Sequence, residues 1–166
     1  MWFLFMVSLV CLAFGSVASD TPQSAVNSLF QAMSHEPQKK PDIDKLKQLF
    51  HPEAKVFGVH LKKGMPSLMS LTGQEFIKLL DKTSEQGFYE CEIVRKIQTY
   101  DRFSHVYSVA ETRFNKDQTN PDFTGVNSIQ LYKADQQWQI MSLYYQVENP
   151  AKAIALESGK SGACLN

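Results

Sequence analysis

The stretch Lys45–Leu61, "KLKQLFHPEAKVFGVHL", changes character at its centre. Up to Phe50 its apolar residues recur at helical spacing, and from Ala54 they alternate as in a strand. Pro52 disfavours helical geometry at the residue before it, so the helix stops at His51. His51 therefore reads as the corner of a helix-to-strand junction rather than as a catalytic group. Many residue types can fill such a corner.

Working outward, the N-terminal side is helical. Asp20 or Thr21 can cap a helix with Pro22 near its first position, where the missing N–H does no harm. Val26, Leu29, Phe30 and Met33 make its apolar face. "SHEPQKKPD" interrupts with two prolines, and Asp42 caps a second helix that turns Ile43, Leu46, Leu49 and Phe50 inward. On the other side "AKVFGVHL" is a strand and "KKGMPSLMS" is expected to be a loop. Thr72 and Glu75 then form a capping box for a third helix with Phe76, Ile77, Leu79 and Leu80.

From Phe88 the period is two. Phe88–Tyr100, His105–Phe114, Gly125–Lys133 and Trp138–Glu148 read as strands rich in β-branched and aromatic residues. The short links "DRFS" and "ADQQ" imply antiparallel neighbours. Helices followed by consecutive strands define an α+β domain with helices on one face of a curled antiparallel sheet, which leaves a cavity between the layers. Residues 151–166 form a tail in which Ala151–Leu156 is expected to make a short helix.

The chain of 166 residues suits one domain. Its 17 basic and 17 acidic residues balance, and there is no basic block, so nothing points to nucleic acid or to an acidic membrane surface. Residues 1–18 differ from the rest. They carry no charged side chain, and the apolar run Trp2–Phe14 is short for a membrane span. Ser16-Val17-Ala18 offers small residues for a signal peptidase, so cleavage after Ala18 is expected, an uncleaved anchor being the alternative. The expected product is secreted or periplasmic, has no stable membrane anchor, and spans a domain at 19–150. Two cysteines then remain. Cys91 and Cys164 either bridge the tail to the sheet, or leave Cys91 as a small buried hydrophobe and Cys164 free.

The order of elements, with "LFHPEAKVFG" and "QQWQIMSLYY", resembles the nuclear transport factor 2-like (NTF2-like) superfamily, the SnoaL-like and ketosteroid-isomerase-like cone, over about Ser24–Glu148. The resemblance implies the cone fold and, for many relatives, a homodimer through the outer sheet face. It does not by itself imply an activity. Steroid-isomerase members use an aspartate base with a tyrosine and a protonated aspartic acid as oxyanion donors. By pattern those positions fall at Gly58, Leu29 and Ser128, none of which can do that work.

Other chemistry is sparse. His35, His51, His60 and His105 share no metal-ligand spacing, so neither a metal nor any other cofactor is expected. "ESGKSG" lacks the leading glycine and strand of a phosphate loop. Alternation on the last strand assigns Met141, Leu143 and Tyr145 to the cavity and Trp138, Ile140 and Tyr144 to an outer, dimer-forming face. With Leu29, Met33, Phe57, Val59, Ser128 and Gln130 they make the expected pocket. His60, Glu111 and Tyr145 are the candidate acid–base groups, with a solvated outer face as the alternative for Glu111. The lining as a whole is expected to lack proton-transfer side chains. These features suit non-catalytic binding of a small apolar molecule or a partner protein. The alternatives are a small isomerase, cyclase or hydrolase-like enzyme, or an interaction domain of a secretion or envelope assembly.

Overall fold

A computed structural model describes residues 19–62 and 64–165. The expected signal segment, 1–18, lies outside the described residues. The elements run α1 (Pro22–Met33), α2 (Ile43–Leu49), β1 (Phe50–Lys62), β2 (Met65–Thr72), α3 (Gly73–Leu80), β3 (Tyr89–Tyr100), β4 (Phe103–Arg113), β5 (Phe123–Ala134) and β6 (Gln137–Val147). The strands form one sheet in the order β2-β1-β6-β5-β4-β3. Every neighbouring pair is antiparallel except β1 and β6, which are parallel.

The helix ends are set by local chemistry. Thr21 and Ser24 exchange side-chain-to-backbone hydrogen bonds at the start of α1, and Thr72 and Glu75 do the same at α3. Asp42 accepts the Lys45 N–H at 2.9 Å and opens α2. At the α2–β1 junction Phe50 is buried in the core, and His51 Nδ1 accepts the Glu53 N–H at 3.1 Å while its ring meets Tyr132 edge-on. The histidine is a fold corner.

Helices α1, α2 and α3 cover the concave face. Val26, Leu29, Leu46, Val56, Val106, Ile129 and Ile140 are at most 1 % exposed and form the main core between the layers. Burying each such side chain contributes roughly 1.5–3 kcal/mol, which is what holds the roof on the sheet.

The structure corrects four sequence-based expectations. First, "KKGMPSLMS" is not a loop: Met65–Thr72 is the edge strand β2, turned back on β1 at Gly64, whose φ is 78°. Its Met65 and Leu68 are exposed, so no burial pattern marks it as a strand. Second, residues 151–165 contain no helix; they run as turns and extended chain across the convex face of the sheet. There Ile154 and Leu156 pack on Ile93, Val94 and Val109.

Third, β6 changes phase. Gln130 pairs with Ser142 but Leu131 pairs with Ile140, so Met141 is an extra residue, a β-bulge. Trp138 and Ile140 consequently face the helices, 4 % and 0 % exposed, and are not part of an outer dimer-forming patch. Beyond the bulge Leu143 and Tyr145 face inward and Tyr144 outward, where it meets Phe57. Fourth, Glu111 lies on the convex face but is not solvated: the tail covers it to 2 % exposure.

Cys91 and Cys164 are bonded, with Cα atoms 5.0 Å apart, and fasten this tail to β3. Gly159 has no room for a Cβ, which would stand 2.6 Å from the Ile93 carbonyl oxygen. Leu165 N–H donates to the Glu92 carbonyl at 2.7 Å.

Candidate functional site

Between the helical roof and the β3–β6 side of the sheet lies a cavity of about 520 Å³, a size typical of small-molecule sites. Leu29, Phe30 and Met33 of α1, Phe76 and Leu80 of α3, and Phe88, Ala110, Phe123, Leu143 and Val147 of the sheet side make most of its wall. The alternation of each strand delivers these apolar residues to the concave face. The polar contributions are few: His60, Glu90, Thr112, Asn127, Tyr145 and Gln146.

Two of the polar groups form a pair. Tyr145 Oη and His60 Nε2 are 3.1 Å apart, with the rings edge-on at 5.4 Å between centroids. Gly58 makes this possible. A Cβ at Gly58 would stand 2.5 Å from the Tyr145 ring tip, so only glycine lets the phenol lie against β1. Burial pushes the Tyr145 phenol up.

The third group, Glu90, is isolated from that pair, three strands from Tyr145 and four from His60 in the sheet order. Its Oε1 accepts a hydrogen bond from the Thr112 hydroxyl at 3.0 Å, and its own N–H donates to Ser34 Oγ at 3.0 Å. Burial pushes the Glu90 carboxyl up to about 7; the Thr112 hydrogen bond opposes this and the nearby charge of Glu92 adds to it. Glu92, 3 % exposed, points to the same concave face and is paired with Arg95, whose Nε donates to it at 2.9 Å and whose Nη2 also reaches Asn27 of α1. A carboxyl of intermediate proton affinity in an apolar cavity can give or take a proton near neutrality.

Of the residues expected to form the pocket, Leu29, Met33, Leu143 and Tyr145 are brought together in its wall. Phe57, Val59, Ser128, Gln130 and Met141 are not among the lining residues. Phe57 and Val59 alternate with the inward Val56 and Gly58, and Ser128 pairs across with the outward Tyr144 and accepts or donates to His105 at 3.0 Å. Of the candidate acid–base groups, His60 and Tyr145 line the cavity. Glu111 does not. It is paired with Arg113 at 2.9 Å and accepts the Gly162 N–H at 3.0 Å, on the opposite face of the sheet. Burial pushes that carboxyl up, but hydrogen bonds from Ser161, Arg113 and Gly162 outweigh it and hold it below the usual range. Among the described residues no three His, Cys, Asp or Glu side chains converge in a manner suited to a metal ion.

Glu90 overturns the expectation that the lining lacks a proton-transfer side chain. Sequence reasoning missed it because β3 carries its apolar residues, Cys91, Ile93 and Val94, on the convex side. A signal did exist. Once Cys91 is tied to a tail lying outside the sheet, alternation sends Glu90 and Glu92 inward.

A helical roof over a curled mixed sheet, with a cavity at one end, defines an α+β cone. No protein-family model and no curated protein sequence matches the chain. Solved structures do. An NTF2-like protein of unknown function from Silicibacter pomeroyi is similar with a TM-score of 0.54 at 14 % identity, over 76 % of this chain and 92 % of that one. An NTF2-like protein of unknown function from Shewanella baltica gives 0.52 at 16 % identity, over 75 % and 90 %. A protein of unknown function with a cystatin-like fold from Nostoc punctiforme gives 0.51 at 16 % identity, over 66 % and 78 %. The chain has the NTF2-like fold.

Proposed function

We propose that the protein is an exported NTF2-like domain that binds a small, largely apolar organic molecule in the cavity of its cone. The observation that carries this reading is the cavity itself: about 520 Å³, walled mostly by aliphatic and aromatic side chains, with few polar groups, four of which form two separate hydrogen-bonded pairs, His60–Tyr145 and Glu90–Thr112. Such a wall stabilises a ligand by apolar burial, and the two polar pairs orient it. Export is supported by the apolar N-terminal run and by a disulfide, a bond that persists in oxidising compartments.

The test is saturable binding. Native mass spectrometry of the purified protein looks for a retained ligand, and calorimetric titration with acetylnaphthalene as a neutral apolar probe measures occupancy. Ala110, 4 % exposed in the cavity wall, is replaced by Phe to fill the space. Saturable binding that Ala110→Phe abolishes, with circular dichroism unchanged, supports the reading. No saturable binding, or binding indifferent to Ala110→Phe, overturns it.

Glu90 favours a second reading, a small enzyme that moves a proton on its ligand. The carboxyl faces the cavity, and Tyr145 and His60 offer hydrogen bonds from the far wall. Its test is exchange of the methyl-ketone protons of acetylnaphthalene in heavy water. Exchange accelerated by the wild type and lost in Glu90→Gln supports proton transfer, and equal exchange in both refutes it.

A further inference from the structure

The cavity carries an imbalance of charge that the binding reading leaves unused. Among the described residues its lining contains no Lys and no Arg, whereas it contains the Glu90 carboxyl. The surroundings of that carboxyl are settled on each side. From β4 Thr112 satisfies Oε1 at 3.0 Å, and from the end of α1 Ser34 Oγ receives the backbone N–H. On its own strand Glu92 adds negative charge, and the one cation beside it, Arg95, is committed to Glu92 and to Asn27. Across the cavity His60 is bonded to Tyr145 on the β1–β6 wall. Asn127 of β5 is uncharged. From β6 to β3 is three strand spacings, roughly 14 Å along the curved sheet. Among the described residues nothing donates to Glu90 Oε2, and that atom is not sealed in the core among the buried polar atoms without partners.

Resting on the cavity reading above, we infer that the site takes an apolar molecule bearing one protonated amine, which donates to Glu90 Oε2. A carboxylate acceptor in an apolar wall lacks a cation, and an ammonium supplies both charge and donor. Charge-assisted hydrogen bonds of this kind are about twice as strong as neutral ones. The same potential repels an anionic ligand.

The raised proton affinity of Glu90 gives the inference a signature. As pH rises through about 7 the carboxyl ionises, so an ammonium gains its partner while a neutral acceptor loses a donor. Over a span from pH 6 to pH 8 amine affinity should rise roughly tenfold, the change in the ionised fraction of a group titrating at the midpoint.

Three probes of one skeleton decide the point: naphthylmethylamine, naphthylmethanol and naphthoate, titrated calorimetrically at both pH values into wild type and Glu90→Gln. The expected result is amine tightest at the higher pH, naphthoate weakest, and amine and alcohol equal in the variant. An alcohol that matches the amine, a naphthoate that binds best, or an amine preference that survives Glu90→Gln overturns the inference while leaving the cavity reading intact. Failure of all three probes to bind removes the cavity reading and this inference with it. The wild-type pH profile decides alone if the variant does not fold.

Discussion

Replacing Glu90 by Gln should make the protein's stability less dependent on pH, by an amount the structure sets. In the unfolded chain this carboxyl loses its proton near 4.5, and in the folded protein near 7. Between those values the native state holds a proton that the unfolded state has released, so stability falls as pH rises and levels off above 7. It is fully present below the unfolded value. Each unit of difference corresponds to about 1.4 kcal/mol, so the gap amounts to roughly 3 kcal/mol. Glutamine keeps the size and can still accept from Thr112, but has no charge to bury. The stability difference between Glu90→Gln and wild type should therefore climb in the variant's favour by roughly 3 kcal/mol between pH 4 and pH 8. Urea unfolding followed by the fluorescence of the core residue Trp138 measures it, and the subtraction cancels every other titrating group. A difference flat to within about 0.5 kcal/mol across that range would refute the placement of the carboxyl in an apolar wall.

Three further outcomes follow from the geometry. Reduction of Cys91–Cys164 opens a loop of 73 residues; by loop entropy this costs about 4 kcal/mol, or roughly 8–16 °C in melting temperature, and a shift of only a degree or two in calorimetry contradicts a docked tail. Glu111→Gln leaves the 8 %-exposed Arg113 without its anion and should cost about 3 kcal/mol at pH 7 in urea unfolding. Because the folded Glu111 carboxyl is depressed, its contribution is present above about 4.5 and disappears as pH falls through the lower folded value, so that cost should vanish in strong acid. Gly58→Ala should drive the Tyr145 ring off β1 and break its contact with His60; a red-edge tyrosine difference spectrum or the Tyr145 ring resonances report it, and unchanged signals argue that the ring does not rest on Gly58.

Much of the architecture was legible because local rules and global packing agree in it. Thr21, Asp42 and Thr72 each cap a helix where their side chains accept the N–H three residues on. The two tight turns at Asp101 and Asp135, both with positive φ, close the hairpins that the short links imply. What was not legible depended on long-range geometry. Met65–Thr72 is an edge strand with most of its residues exposed, so periodicity had nothing to report. The Met141 bulge reversed the faces of Trp138 and Ile140, a shift of one residue that no composition reveals. At the site, Leu29, Met33, Leu143 and Tyr145 could be found by alternation and helical spacing. Glu90 becomes legible only once the tail is placed, because charge on a strand ordinarily marks a solvated face, and here the convex face is covered by a tail that the sequence alone left unplaced.

The extra residue in the last strand sets a rule for which substitutions that strand will accept. Before Met141 the positions intolerant of polar replacement are even-numbered, at Trp138 and Ile140; after it they are odd-numbered, at Leu143 and Tyr145. Saturation mutagenesis read along the strand should show this inversion of parity. Deleting Met141 would erase it, forcing either the indole and isoleucine or the cavity's phenol into water. One inserted backbone unit thus lets a single strand serve two neighbourhoods, a dry anchor for the helices and a lining for the hollow.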